Sequence, residues 1–92
     1  MIELKIEKDH VFQARKHGAV CIKGNFDGRA AYPDQLILKD RKKFYWVEFK
    51  VPGNDLQKDQ EEMINLLRKK GHMVYVCDNM MDSDIFLDTE FG

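Results

Sequence analysis

Two strand-like runs, residues 34–39 and 44–51, flank the polar stretch Lys39, Asp40, Arg41, Lys42 and Lys43, and this arrangement restricts the chain more than any other. Both runs are rich in aliphatic, aromatic and β-branched side chains, and the stretch between them has the composition of a turn, so they should pair antiparallel as a hairpin. A bend centred near Arg41 makes positions whose numbers sum to about 82 face each other, which sets Asp34 across from Glu48 and puts Lys50 two residues further along the same face. Two carboxylates held across a ladder repel each other unless a cation relieves them. The hairpin therefore points to a metal site at its open end.

Mg²⁺ and Mn²⁺ favour carboxylate, carbonyl and water oxygens, and Mg²⁺ commonly takes one or two protein carboxylates together with substrate phosphate. Asp34 and Glu48 supply such a pair. A lysine beside it can orient or help deprotonate a water, or stabilise developing charge, so phosphodiester hydrolysis is the chemistry this set allows. A reading from a different class is a non-catalytic DNA-binding or protein-interaction module in which Glu48 and Lys50 form a surface ion pair.

Pro33 and Asp34 followed, fourteen residues after the aspartate, by Glu48, Phe49 and Lys50 resemble the PD-(D/E)XK nuclease superfamily, and more narrowly the VRR-NUC (virus-type replication-repair nuclease) domain. Val51, Pro52 and Gly53 after the lysine, Leu56 and Gln60, the helix-closing Gly71 and a strand over 74–76 are further points of likeness, which extends over residues 3–78. The resemblance implies a small α/β, restriction-endonuclease-like domain: a central mixed β-sheet with flanking helices in the order α-β-β-β-α-β. It implies a metal-dependent DNA endonuclease, with Asp34, Glu48, Lys50 and Gln60 catalytic and with Mg²⁺ or Mn²⁺ held by Asp34, Glu48, the Phe49 carbonyl and a first-helix glutamate. Glu7 is the best match for that glutamate and Glu3 the reserve. Stand-alone proteins similar to this family further suggest a homodimer selective for branched DNA such as four-way junctions or flaps. One departure is visible: the family has a glycine shortly before its Pro-Asp, whereas here Arg29, Ala30, Ala31 and Tyr32 precede it and Gly28 lies further upstream.

Ninety-two residues, 43% of them hydrophobic, make one small domain with a thin core. No apolar run is long enough to span a membrane, and residues 1–9 alternate in charge where a signal peptide would be apolar, so an intracellular protein is expected. Cys21 and Cys77 lack C-x-x-C spacing and read as buried thiols. His10, His17 and His72 lie among charged residues and read as surface histidines. The net charge is −1, but the last fifteen residues carry five acids and no Lys or Arg, so residues 1–77 hold all 15 bases against 11 acids. The triplets Arg41, Lys42, Lys43 and Arg68, Lys69, Lys70 could then meet phosphate, although such runs are more often solvated.

Residues 2–16 read as a helix stopped by Gly18, with a ragged stripe of Ile2, Ile6, Val11, Phe12 and Ala14. Glu3 and Glu7 share a face, which by itself suits the dipole of a solvated first turn. Residues 19–23 read as a strand and 24–33 as a connection. Asp55 is the expected N-cap of a helix over 56–70, with Gly71 after its end and an inner stripe of Leu56, Gln60, Met63, Ile64 and Leu67. Gln60 is the odd member, because a core-facing amide without partners costs on the order of 1–3 kcal/mol; it lies at the core edge or serves the site. Residues 73–77 form another strand. The acidic end suggests a short helix around 82–88 with frayed last residues. The segment 24–32 with Phe26, and the tail with Ile85, Phe86, Leu87 and Phe91, are the apolar surfaces available to a dimer.

Overall fold

The computed structural model describes residues 2–25, 31–51, 53 and 55–92, with side chains from Leu4 onward. The hairpin forms as its pattern requires: β2 (Gln35–Leu38) and β3 (Phe44–Phe49) pair antiparallel with Gln35 opposite Val47 and Leu38 opposite Phe44. Continued by one residue, this register sets Asp34 across from Glu48. At the other end the Lys43 N–H donates to the Asp40 carbonyl at 3.3 Å, and Arg41 (φ 61°) and Lys42 (φ 62°) both adopt the left-handed conformation of a primed turn. That turn matches the strand twist, but two residues bearing Cβ atoms occupy it at a cost of about 1–2 kcal/mol each.

β1 (Val20–Lys23) pairs antiparallel with the outer side of β2, and β4 (Val74–Cys77) runs parallel to β3, giving a mixed sheet of order β1-β2-β3-β4. A parallel neighbour needs a crossover, and α2 (Lys58–Lys69) provides it. Period-two alternation then sorts the core into two layers. Ile37, Tyr45, Val47, Phe49 and Cys77 meet Ile6 and Ala14 of α1 (Ile2–Lys16) on one face. On the other, Trp46 and Val74 meet Ile64 of α2, with Leu36, Leu56, Leu67 and Tyr32 packed around them. Gly18 and Gly71 follow their helices at φ 87° and 89°, as expected of residues that close a helix.

Four expectations are corrected. The helix expected around 82–88 is longer and does not fray: α3 (Met80–Phe91) completes the order α-β-β-β-α-β-α. The Asn79 side chain caps it by accepting the Asp82 N–H, Ser83 and Leu87 are buried, Glu90 holds Lys39 (2.9 Å) and the Tyr75 hydroxyl (2.7 Å), and Phe91 stacks on His17. Phe86, Leu87 and Phe91 belong to the core layer, so of the four residues expected to form an apolar tail surface Ile85 is the one left substantially exposed. The second helix starts later than Asp55: its N-cap is Gln57, whose N–H is taken by the Gln60 side chain at 3.0 Å, while Leu56 packs from outside the helix. The inner face of α1 is Ile6, Glu7, His10 and Ala14, with His10 and Ala14 following at helical spacings of three to four residues, and Phe12 is 60% exposed.

His10 is the fourth correction. It is fully buried, with Nδ1 2.9 Å from the Ser83 hydroxyl and Nε2 2.7 Å from the Tyr45 hydroxyl. One ring nitrogen donates and the other accepts, so the neutral ring is fully satisfied. Burial lowers its pKa to about 4, against a small opposing pull from Asp9. Both cysteines are free thiols, Cys77 buried and Cys21 half-buried. No helix among the described residues is long and apolar enough to cross a membrane.

Candidate active site

The site lies at the open end of the hairpin and begins with a close backbone approach. Gly24, just past β1, donates its N–H to the Asp34 carbonyl at 2.9 Å, and a Cβ there would stand 1.7 Å from the Pro33 carbonyl oxygen. Only glycine permits this contact. It holds the buried Pro33 and sets the backbone entering Asp34, a close approach that the neighbouring strand makes possible by lacking a side chain here. Gly28, Arg29, Ala30 and Phe26 lie outside the described residues.

Asp34 and Glu48 are clasped across the hairpin by two side-chain-to-backbone bonds. The Phe49 N–H donates to Asp34 Oδ2 at 2.9 Å, and the Asp34 N–H donates to Glu48 Oε1 at 3.1 Å. Glu48 is 2% exposed; its Oε2 receives Gln60 Nε2 at 3.2 Å and lies 3.6 Å from Lys50 Nζ. Lys50 Nζ donates to Gln60 Oε1 at 2.9 Å, and the Lys50 N–H is anchored on the Cys77 carbonyl of β4 at 2.8 Å. Gln60 thus binds lysine through its oxygen and glutamate through its nitrogen while closing the first turn of α2. Burial first, and then the neighbouring Asp34 charge, push Glu48 up to about 7, against the opposing pull of Lys50 and of the Asp34 N–H. Lys50, Asp55, Leu56, Glu61, Val76, Asp78 and Asp82 line an open cavity of about 570 Å³ beside the lysine.

Glu7 lies on the α1 side, 7% exposed, where its carboxylate receives Lys23 Nζ at 2.6 Å and Gln35 Nε2 at 2.7 Å. Lys23 is the bridge toward the site: its pKa is raised mainly by the hydrogen bond to Glu7, and the Asp34 charge adds to the effect. The Glu3 side chain lies outside those described. Among the described residues no three His, Cys, Asp or Glu side chains gather around one point. Asp34 and Glu48 are the two carboxylates brought together here, and such a pair, with Glu48 raised by burial and by the Asp34 charge, has the donor chemistry to hold a hard divalent cation.

Sequence reasoning brings Asp34, Glu48, Lys50, Phe49 and Gln60 together, as the fold does, but misses Gly24, Lys23 and Gln35. The β1–β2 register pairs Lys23 with Gln35 and so sets Gly24 opposite Asp34; no turn signature in the long connection discloses that register.

A Pro-Asp on one strand and a Glu-x-Lys on its partner, in a mixed sheet flanked by helices, define a PD-(D/E)XK-type nuclease domain. A family model of the VRR-NUC domain matches residues 13–81, a span that includes Asp34, Glu48, Lys50 and Gln60. Over 83 residues the chain is 35% identical to "Putative nuclease p44" of Acyrthosiphon pisum secondary endosymbiont phage 1, covering 90% of this chain and 89% of that protein. A solved structure described as a VRR_NUC domain superposes with a TM-score of 0.88 over 96% of both chains, at 22% identity, a likeness of fold. The chain belongs to the VRR-NUC domain family of nucleases.

Proposed function

We propose that this domain is a Mg²⁺- or Mn²⁺-dependent endonuclease that hydrolyses DNA phosphodiester bonds. The observation that carries the reading is the Asp34–Glu48 clasp across the hairpin, which keeps two carboxylates side by side with Lys50 Nζ 3.6 Å from Glu48. Asp34, Glu48 and the Phe49 carbonyl would hold the metal. When bound, it supplies charge compensation for the phosphate and makes water a better nucleophile near neutral pH. Lys50, steered by Gln60, holds its ammonium where it can orient the attacking water and offset charge that develops on the phosphate oxygens. Gln60 keeps Lys50 from collapsing fully onto Glu48. Acids at Asp55, Glu61, Asp78 and Asp82 make the adjoining cavity hostile to phosphate, so the strand approaches from the Lys23 side.

The same proposal includes a homodimer acting on branched DNA. A molecule of 32 × 29 × 22 Å cannot enclose a duplex, and a two-fold pair would present two sites to two strands. With Phe86, Leu87 and Phe91 packed into the core, Leu4, Phe12 and Val20 on α1 and the edge strand are exposed apolar residues available for pairing. A DNA substrate and two free thiols both fit work inside a cell. The test is incubation of purified protein with plasmid, linear duplex, flap and four-way DNA in Mg²⁺, Mn²⁺ or EDTA, with light scattering for the dimer. Cutting in Mn²⁺ that stops in EDTA is expected; no cutting of any substrate sinks the enzyme reading, and equal rates on linear and branched DNA sink the selectivity.

A further inference from the structure

The two basic triplets, far apart in sequence, meet at one end of the fold. Arg41, Lys42 and Lys43 form the hairpin tip beyond Phe44, and Arg68, Lys69 and Lys70 close α2 just before β4 starts beside β3. Two contacts join the segments: the Trp46 N–H donates to the Met73 carbonyl at 2.9 Å, and the Phe44 ring lies 5.2 Å from the His72 ring; within the second segment, Arg68 Nη2 donates to the Val74 carbonyl at 2.7 Å. A shallow hollow of about 320 Å³ between them has Lys42, Lys43, Gly71 and His72 in its wall. All six cations are exposed. The acids that the described residues bring here are Asp40 and Glu90, and Glu90 is occupied by Lys39 and Tyr75.

A helix dipole accounts for basic residues in the last turn of α2. It does not account for the hairpin tip. A turn with two left-handed residues favours Asn-Gly, yet here Arg41 and Lys42 hold φ 61° and 62°. Strain retained for the sake of two cations points to a use for them.

We propose that this end is a second contact for the DNA backbone, separate from the cleavage site, and that it binds phosphates of the duplex arm. The inference rests on DNA being the substrate. Glu48 is four strand residues from Phe44 and the tip lies two further on, so the contact sits roughly 15–20 Å from the carboxylates. That is about five nucleotides along one strand, or half a helical turn. The domain would thus grip one arm at two points, which the near-zero overall charge conceals.

The test is fluorescence anisotropy in EDTA with a duplex of about 30 base pairs over a salt series, so that cleavage plays no part. Arg41→Asn with Lys42→Gly suits the turn, so its melting temperature should equal or exceed that of the wild type. Its slope of log K against log salt should shrink by about 2, close to 0.9 per lost contact, with affinity falling on the order of tenfold. Lys69→Gln with Lys70→Gln should repeat the effect from the other segment. Wild-type slopes in both double variants, or no DNA binding by the wild type, overturn the contact. A protein that binds with this salt dependence but never cuts in Mn²⁺ keeps the contact and loses the nuclease reading; variants that cut and bind with an unchanged slope do the reverse.

Discussion

Strand β3 carries a buried polar network on each of its faces, and the two are built on opposite principles. On the α1–α3 face, His10 sits between Ser83 and Tyr45, neutral and with both ring nitrogens bonded. On the α2 face, Glu48 lies between Asp34, Lys50 and Gln60, equally buried but carrying charge that its neighbours compensate in part. The first network ties α3 to α1 and the sheet, and nothing in it calls for a ligand. The second would be better off protonated or bound to a cation. Burial alone therefore does not mark a functional site; burial with uncompensated charge does.

Substitutions on the two faces should separate activity from stability. The largest effect belongs to the charged face: Asp34→Ala, Glu48→Gln or Lys50→Ala should each lower cleavage by about 10³-fold or more, because cation and water positioning fail together. Glu48→Gln should melt no lower than wild type without metal, since it removes a buried charge. Wild-type turnover in any of the three would end the site assignment. Gly24→Ala comes next. Its Cβ meets backbone that cannot step aside, so a loss of about 3 kcal/mol is expected in denaturant titrations, with cleavage falling as Asp34 moves. Normal stability there would show that the Pro33 approach is soft.

The pH dependence of stability should divide the faces by sign. His10 has a folded pKa near 4, below the unfolded 6.5, so its contribution is complete above pH 6.5 and is lost as pH falls toward 4, by up to about 3 kcal/mol. Glu48 is raised from 4.5 to about 7, so its contribution is complete below 4.5 and is lost as pH rises through 7. Melting curves of wild type, His10→Gln and Glu48→Gln from pH 4 to 8 read the two slopes, which should tilt in opposite directions. Mn²⁺ at about 100 times its dissociation constant should restore about 2.7 kcal/mol at neutral pH in wild type and not in Glu48→Gln. An equal gain in both proteins would move the ion elsewhere.

The smallest effects test which residues only position others. Gln60→Ala should reduce cleavage on the order of tenfold while costing about 1 kcal/mol of stability, because it releases Lys50 and one cap bond. A large melting loss with normal turnover would reassign Gln60 to the core. Glu7→Gln should reduce cleavage less than Glu48→Gln, since Lys23 and Gln35 already occupy its carboxylate. The opposite order would bring Glu7 to the metal.

The residues alone determined the hairpin, its register and the Asp34–Glu48–Lys50 constellation, because these follow from local pattern: strand alternation has a period of two, and a turn between two strands sets which positions face. Tertiary structure decided the rest. His10 among charges looks like a surface residue until α3 covers it, and α3 looks like an acidic tail until Ser83 and Leu87 find α1 and the sheet. Gly24 looks like an ordinary loop glycine until β1 brings it against Pro33. In each case the deciding contact joins segments distant in sequence, and the burial that gives the residue its role is a property of the packed layers, which no local periodicity records.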